Sequence, residues 1–271
     1  MKKSLALGVS LVLLTGISCK QQNSAPAETE PVAEEVVAEV PKMDVNPNIP
    51  DELSKVFDAH GGLENFYDKQ TLTFEIENPE GNEQHITDLH SRKALIKTKK
   101  YAIGYDGENA WLVQDSTYFK NDPKFYYNLM FYFYAMPFIL ADNGITYEET
   151  PSLQVEGRSY PGYKISYGDG VGTSPDDNYF IYYDPKSHEM KYLGYTVTYF
   201  SKAPSDQVSM IEYAEWDDVD DLMLPKKIVW RKYEEGKIGD VKNTVSFTNA
   251  GMGTETPDPE LFKEPEGNSI P

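Results

Sequence analysis

Residues 101–114, YAIGYDGENAWLVQ, contain the pattern that decides the fold of this protein. Tyr101–Tyr105 and Ala110–Gln114 are short runs rich in aromatic and aliphatic side chains, and the pair Asp106-Gly107 follows the first run. An Asp-Gly pair readily adopts the positive φ angles that a tight hairpin requires. The segment therefore predicts two antiparallel strands joined by a turn.

The same alternation of strands and turns continues on both sides of this hairpin. In residues 71–78, Leu72, Phe74 and Ile76 alternate with polar side chains, which is the period of a half-buried strand. Further strands are predicted at 84–91, 94–99, 153–157, 163–167, 179–183, 190–200, 208–216, 226–233 and 241–248. Closely spaced strands without crossover helices favour one antiparallel sheet that is large enough to curl. The predicted fold class is mainly β, a large curved sheet covered by short helices.

Two short helices are predicted at the start of the folded domain. Leu53, Val56 and Phe57 share one helical face, and Gly61-Gly62 ends that helix. A second helical turn follows at residues 63–67. These helices precede the first strand, so they are available to cover the sheet.

Residues 123–144, PKFYYNLMFYFYAMPFILADNG, depart from the strand pattern. Pro123 suits a first helical turn, Pro137 interrupts the helix, and residues 125–140 are too few to span a bilayer core of roughly 30 Å. A helix that is apolar on nearly all sides must be buried, inside or across the curved sheet. Either it packs purely as core, or its adaptable side chains line a pocket for an apolar ligand. The residues predicted for that wall are Trp111, Met130, Phe131, Tyr134, Met136 and Phe138.

The amino terminus is typical of an exported lipoprotein. Lys2 and Lys3 precede a short apolar run, and Ser18 stands immediately before Cys19, which is the only cysteine in the chain. We therefore expect a signal peptide at residues 1–18 and a lipid on Cys19 that anchors the chain in a membrane. Residues 19–49, rich in Glu, Pro and Ala, predict a flexible tether, and residues 50–271 predict a single domain.

The charge of the chain narrows the classes of partner. The formal net charge of −19 argues against nucleic acid, whose phosphates need a basic surface. It also argues against a domain that lies on an anionic membrane by electrostatic attraction. Residues 21–27 carry no acidic side chain, which favours an anchor in the outer membrane with the domain facing the periplasm. We expect a monomer.

The sequence gives no positive signal for catalysis or for a resident metal or cofactor. The motifs HExxH, GxSxG and CxxC are absent from the sequence, and His85 and His90 fall on opposite faces of a strand region. His60, in the Gly-Gly turn, is expected to cap or pack. Two acidic loops, at residues 168–178 and 216–221, could hold calcium through their oxygen atoms, but neither has EF-hand spacing. The chain is therefore expected not to be an enzyme.

Several short motifs resemble those of a known family. Ala59-His60-Gly61-Gly62-Leu63 and the pairing of residues 105–111 with Tyr183-Asp184-Pro185-Lys186 are similar to envelope lipoproteins with a LolA-like fold, which is that of outer-membrane lipoprotein-sorting proteins. Leu224-Pro225-Lys226-Lys227-Ile228 shares this resemblance. More narrowly, residues 59–247 resemble a family of uncharacterised Bacteroidetes lipoproteins.

The resemblance implies an open half-barrel of antiparallel strands whose concave face is covered by short helices and holds acyl chains. The leading hypothesis is thus a membrane-anchored protein that binds a lipid, a lipoprotein or another amphiphile. Unlike LolA, this chain carries its own anchor, which favours a receptor, sensor or local carrier over a shuttle. A surface module that binds glycan or protein through exposed tyrosines is the alternative, and a hydrolase comes third.

Overall fold

The computed structural model describes residues 45–167, 177–199, 205–266 and 270. These residues belong to one compact unit, Val40–Pro271. The predicted signal peptide, Cys19 and most of the predicted tether lie outside the described residues, as does most of the acidic loop at residues 168–178. The predictions made for those segments therefore stay predictions.

The described residues form three α-helices, two 3₁₀ turns and twelve strands. The helices are α1 (Asp51–Ala59), α2 (Leu63–Tyr67) and α3 (Pro123–Tyr134), and the 3₁₀ turns are Phe138–Ala141 and Pro259–Phe262. The strands of the first half are β1 (Thr71–Ile76), β2 (Glu83–Asp88), β3 (Ala94–Lys97), β4 (Tyr101–Tyr105) and β5 (Ala110–Gln114). Those of the second half are β6 (Ile145–Val155), β7 (Arg158–Tyr167), β8 (Asn178–Tyr183), β9 (Met190–Tyr195), β10 (Ser209–Val219), β11 (Leu222–Glu234) and β12 (Lys237–Gly253).

All twelve strands join one antiparallel sheet in the order β5-β4-β3-β2-β1-β12-β11-β10-β9-β8-β7-β6. Two meanders, β1 to β5 and β6 to β12, are fused where β1 pairs with β12. The sheet is curved, because β6 approaches β12 to within 8 Å between Cα atoms although five strands lie between them. The prediction of a mainly-β fold with a large curved antiparallel sheet is confirmed.

The connection between the meanders determines how the sheet is covered. β5 and β6 are the two edge strands of the described sheet, so residues 115–144, which we call the crossover segment, must pass from one edge to the other. The segment consists of α3, a cis Met136-Pro137 bond and the 3₁₀ turn Phe138–Ala141. α3 lies against β3, β4 and β5 near its start, and the ring of Phe133 is 5.1 Å from that of Tyr195 in β9. The crossover segment thus covers one face of the sheet, which we call the inner face.

The two faces of the sheet have different cores. The inner face carries Leu72, Phe74, Ile165, Ile181 and Leu193 beneath the three helices. On the outer face of β3 to β5, the turn Pro259–Phe262 supplies Phe262, which packs with the buried side chains of that face. On the outer face of β6 to β11 a further cluster forms from Leu153, Tyr160, Tyr182, Tyr192 and Met210.

Several strands differ in length from their predictions: β7, β11 and β12 are longer than predicted, and β6 and β9 differ for identifiable reasons. β6 starts at Ile145 instead of residue 153, because its first half has little apolar alternation and pairs at an edge of the sheet that tolerates polar side chains. β9 ends at Tyr195 instead of residue 200. Its neighbour β8 begins at Asn178, whose carbonyl oxygen accepts a hydrogen bond from the Thr196 amide, so pairing to β8 ends there.

The folded part begins before residue 50, within the segment predicted to be tether. Val45 forms a bridge with Asp142. The amide of Asn46 donates to the carbonyl oxygen of Ala141 at 2.9 Å, and its side-chain Nδ2 donates to that of Ile145 at 2.6 Å. Asn46 is buried, and these bonds satisfy backbone acceptors at the end of the crossover segment. Packing against the crossover segment therefore includes Val45 and Asn46, because the crossover leaves polar backbone groups that need partners.

Substitution of Gly104 tests how the outer face is packed. Gly104 lies opposite Trp111, and a Cβ at this position would be 2.1 Å from Cζ2 of the indole ring. We expect Gly104→Ala to lower the free energy of unfolding by about 1–3 kcal/mol, the usual cost of overpacking. Denaturant titration measures it. Gly239→Ala is the control, because its Cβ would meet no heavy atom closer than 3.4 Å. Equal losses in the two variants would contradict the packing.

Candidate functional site

Five of the six residues predicted for a ligand wall are brought together by the crossover segment. Met130, Phe131, Tyr134, Met136 and Phe138 belong to one cluster on the inner face and are at most 6% exposed. The ring of Tyr134 lies 4.2 Å from that of Phe74 and 4.6 Å from that of Phe247. Phe138 stacks on Phe66 of α2 at 4.5 Å. In this conformation the five side chains pack as core.

The sixth residue, Trp111, is separated from the others and does not share their wall. Neighbouring residues of β5 point to opposite faces, so Leu112 contacts the inner cluster of β3 to β5 while Trp111 packs with Phe262 on the outer face. Its Nε1 donates to the carbonyl oxygen of Phe262 at 2.8 Å. Trp111 was predicted to line the same wall as the residues of α3. The alternation of side chains along β5 places it on the outer face instead.

An ion pair joins the end of the crossover segment to the sheet. Nη2 of Arg92, in the turn between β2 and β3, lies 3.0 Å and 2.9 Å from the two carboxylate oxygens of Asp142. The guanidinium carbon lies 5.1 Å from the centre of the Phe131 ring, within the range of a cation–π contact. Burial raises the pKa of the Asp142 carboxyl, although Arg92 opposes the shift. The pair is partly buried, with 22% of the Arg92 side chain and 26% of the Asp142 side chain exposed.

Four tyrosines surround this ion pair, and we call Tyr67, Tyr132, Tyr147 and Tyr167 the tyrosine cluster. All four pack partly buried against the inner-face core. Burial raises the pKa of each hydroxyl, and the negative charge of Asp142 adds to the shift in all four. Tyr147 donates its hydroxyl to the carbonyl oxygen of Leu140 at 2.6 Å. The cluster thus forms a polar region directly beside the apolar wall of the crossover segment.

Three atoms of this region lack a hydrogen-bond partner in the described part of the chain. They are Nη1 of Arg92, the hydroxyl oxygen of Tyr67 and the hydroxyl oxygen of Tyr167, and all three are buried. Buried polar groups in folded proteins nearly always have partners, and each exception calls for an explanation such as a water or a ligand. The inner face therefore combines an aromatic wall with unused hydrogen-bonding capacity at one end.

A second polar group on the inner face is fully paired. The carboxylate of Glu83 accepts hydrogen bonds from the hydroxyls of Tyr101 at 2.6 Å and Tyr126 at 2.8 Å, and His85 Nε2 lies 2.7 Å away. Burial favours the protonated carboxyl, but His85 and the tyrosines hold the pKa of Glu83 below its usual value. Because Tyr126 lies on α3, this group fastens the helix to β2 and β4.

Sequence reasoning missed both polar groups. Glu83 and His85 alternate with the partly buried Gln84 and Ile86 in β2, and this two-residue spacing was a signal that a carboxylate and an imidazole share one face of the strand. Arg92 and Asp142 gave no comparable signal, because fifty residues separate them and their contact depends on the crossover. His90 lies in a turn, where its Nε2 is 3.0 Å from the carbonyl oxygen of Lys69.

The acidic turn of β10 and β11 uses its side chains for local bonds. Asp220 accepts a hydrogen bond from the Met252 amide at 2.9 Å, and Asp218 accepts one from the Asp221 amide at 3.2 Å. Among the residues that the structure describes, no three His, Cys, Asp or Glu side chains converge as metal ligands. These carboxylates order the turn.

His60 is fully buried at the end of α1. Its Nδ1 lies 2.8 Å from the carbonyl oxygen of Val56, which it reaches as a donor, and its ring meets the edge of Trp216 at 4.5 Å. Burial lowers the pKa of His60 to about 4. The imidazole is therefore neutral at neutral pH, and its packing role agrees with the expectation from the Gly-Gly turn.

An apolar pocket of about 370 Å³ opens on the outer face. It lies between the second half of β6 and the β11–β12 hairpin, with Leu153, Phe180, Tyr182, Val208 and Tyr233 among its lining residues. Its volume is at the lower end of the range for small-molecule sites. This pocket is on the opposite face of the sheet from the tyrosine cluster.

Comparisons with known proteins give a family of unknown function and distant structural likenesses. The pattern of DUF6503, described as a family of unknown function, matches residues 98–204. No curated protein matches the chain. Solved structures that are similar include a DUF1329 family protein from Desulfovibrio piger, with 11% identity, a TM-score of 0.44 and coverage of 75% of this chain and 94% of that one.

Two further similar structures have names related to lipoprotein sorting. A LolA superfamily protein from Nitrosomonas europaea has 8% identity and a TM-score of 0.39, over 77% of this chain and 96% of that one. A putative outer membrane lipoprotein-sorting protein domain from Vibrio parahaemolyticus has 7% identity and a TM-score of 0.41, over 78% and 94%. Within the described residues, no helix is long and apolar enough to cross a membrane.

The depressed pKa of His60 makes stability depend on pH. The unfolded chain binds this proton near pH 6.5, whereas the folded chain binds it only near pH 4, so protons favour unfolding between these values. The contribution of His60 lost over this window is of order 3 kcal/mol. We expect His60→Phe to flatten the pH dependence of the unfolding free energy between pH 6.5 and 4, measured by denaturant titration. Phe66→Leu, a substitution at a buried site that removes no titratable group, should keep the wild-type slope. An unchanged slope in His60→Phe would contradict the assignment.

Proposed function

We propose that this chain is a non-enzymatic, membrane-tethered binding protein for a lipid, a lipid-modified polypeptide or another amphiphile. The ligand is held between the crossover segment and the inner face of the sheet. The observation that carries the proposal is the adjacency of two features there: an aromatic and methionine-rich wall, and buried polar atoms without partners around Arg92 and Asp142. An amphiphile is the class of ligand that needs both.

Space for the ligand arises by displacement of the crossover segment. The sheet is held by continuous backbone hydrogen bonds, whereas α3 contacts it mainly through side chains. Met130 and Met136 lie in this layer, and methionine side chains adapt to irregular apolar surfaces. The crossover segment therefore moves more easily than the strands beneath it. When it moves, the ligand replaces the contacts that the crossover segment loses with the sheet.

The envelope location of the proposal rests on the amino-terminal sequence. Lys2 and Lys3, the apolar run after them and the pair Ser18-Cys19 are the features of a lipidated export signal. A lipid on Cys19 would anchor the domain in the outer membrane, facing the periplasm, with residues up to Asp44 as the connection. A Bacteroidetes origin agrees with this form of the signal and is part of the proposal.

Binding of glycan or protein at the outer surface is the second candidate function. The observation that favours it is the apolar pocket on the outer face, where Tyr182 and Tyr233 are among the lining residues. Tyrosine rings offer flat apolar surfaces with a polar tip, which suits sugars and peptides. This candidate predicts saturable binding to such a partner without lipid bound at the inner face.

The proposed function is tested by native mass spectrometry together with lipid extraction. The chain from Lys20 onward, exported behind a signal peptide that is cleaved without lipidation so that the anchor is absent, is purified from the soluble periplasmic extract without detergent. We expect a mass adduct that extracts as lipid and saturable binding of the apolar fluorophore N-phenyl-1-naphthylamine. A protein without adduct that also fails to bind the fluorophore would exclude the proposal and favour the outer-face candidate.

A matched pair of variants locates the site. Phe131 and Phe262 are both almost fully buried, on the inner and the outer face respectively. Phe131→Leu and Phe262→Leu should each lower the free energy of unfolding by about 1 kcal/mol, because both create small core defects. Only Phe131→Leu should change the affinity for the fluorophore, by about fivefold or more. Equal effects on affinity would place the site elsewhere.

A further inference from the structure

The three unpartnered polar atoms come from three separate elements that converge at one place. Tyr67 ends α2, whose Phe66 stacks on Phe138 of the crossover at 4.5 Å. Arg92 reaches Asp142, the residue that follows the 3₁₀ turn of the crossover. Tyr167 pairs in the sheet with Ile145, three residues beyond Asp142. All three side chains therefore surround the carboxyl end of the crossover segment.

The hydrogen-bonding capacity of these three atoms determines which chemical groups of a ligand can bind to them. Nη1 of Arg92 only donates, and the two phenolic hydroxyls donate unless another donor occupies them. Leaving such groups buried and unpaired carries the full penalty of their desolvation. A ligand group with acceptor oxygens would remove that penalty, whereas a hydrocarbon would not.

The charge balance of the site restricts the ligand further. Both carboxylate oxygens of Asp142 already face Arg92, at 3.0 Å and 2.9 Å, so the pair is neutral as it stands. A carboxylate or phosphate would be buried beside Asp142 without a counter-charge of its own. An ammonium group could not accept a hydrogen bond from Nη1 of Arg92 and would place a second positive charge beside the guanidinium. The site is matched by a group that is uncharged and rich in acceptor oxygens.

We infer that Tyr67, Tyr167 and Arg92 bind the polar end of the ligand, and that this end is an uncharged ester, amide or alcohol. The inference rests on the proposed amphiphile binding and specifies its ligand class. The apolar chain extends from this point along the crossover segment, where Phe131 lies under the Arg92 guanidinium. Headgroup and chain thus contact adjoining parts of one surface.

Competition between two short amphiphiles tests the inference. The same unlipidated chain from Lys20 onward is loaded with N-phenyl-1-naphthylamine. The fluorophore is then displaced by 1-decanoylglycerol or by decanoate, both kept below their aggregation concentrations. The two competitors share their acyl chain and differ in the charge of the polar end. We expect 1-decanoylglycerol to displace the fluorophore at an at least tenfold lower concentration than decanoate.

Tyrosine-to-phenylalanine variants separate recognition from folding. Tyr67→Phe and Tyr167→Phe remove hydroxyls that have no partner among the residues the structure describes, so each should leave the melting temperature unchanged or raise it. Each should weaken displacement by 1-decanoylglycerol about five- to tenfold, the value of one hydrogen bond, and leave fluorophore binding unchanged. Tyr213→Phe is the control, because its hydroxyl donates to the Phe133 carbonyl oxygen at 2.8 Å. Tyr213→Phe should lower the melting temperature and should still bind 1-decanoylglycerol in preference to decanoate.

The possible outcomes distinguish the inference from the proposed function. If neither the competitors nor the fluorophore bind, the inference and the proposed function are both overturned. If the fluorophore binds but decanoate competes as well as 1-decanoylglycerol, amphiphile binding stands and the uncharged headgroup is excluded. If Tyr67→Phe and Tyr167→Phe lower the melting temperature as Tyr213→Phe does, their hydroxyls have partners in the folded chain, and the inference is overturned.

Discussion

The crossover segment between the two edge strands is the constraint on which the rest of this structure depends. β5 and β6 lie at opposite ends of the strand order, so the chain must cross a whole face of the sheet to connect them. A segment in that position is enclosed by strands beneath it, and its side chains must be apolar to be buried there. The aromatic composition of α3 follows from this requirement.

Burial of the crossover segment also buries polar groups that need hydrogen-bond partners. Partners are supplied at three places along the segment. At the start of the segment, Tyr126 donates to the buried carboxylate of Glu83. Near the middle, Tyr213 donates to the carbonyl oxygen of Phe133. At the end, Arg92 pairs with Asp142, and Asn46 satisfies neighbouring backbone groups. Of the seven buried side-chain atoms that have no partner among the described residues, three lie around the third place, on Arg92, Tyr67 and Tyr167.

The two ends of the crossover segment differ in their polar contacts. At the Glu83 end, the carboxylate accepts a hydrogen bond from Tyr101 and lies 2.7 Å from Nε2 of His85. The Arg92 end retains buried donors beside the tyrosine cluster. In the proposed function, the polar end of the amphiphile binds at this end of the crossover segment. The outer face carries its own core and needs no ligand to be covered at β3 to β5, where Phe262 fills it.

The sequence by itself determined the class of fold and much of its local structure. Alternating side chains and Asp-Gly or Pro-containing turns specified most strands, because the two-residue period of a strand is local and visible in a few residues. Pro123 and Pro137 likewise set the bounds of the aromatic helix, since a proline restricts its own backbone. The burial of that helix followed from its composition alone.

Only the tertiary structure decided which residues form the candidate site. The sequence grouped Trp111 with the aromatic helix, but strand parity in the folded sheet sends its indole to the outer face. It gave no indication of Arg92 and Asp142, which meet because the crossover returns the chain to the far edge of the sheet. Contacts between residues so distant along the chain depend on the pairing of β1 with β12 and on curvature, and these are properties of the whole sheet rather than of any segment.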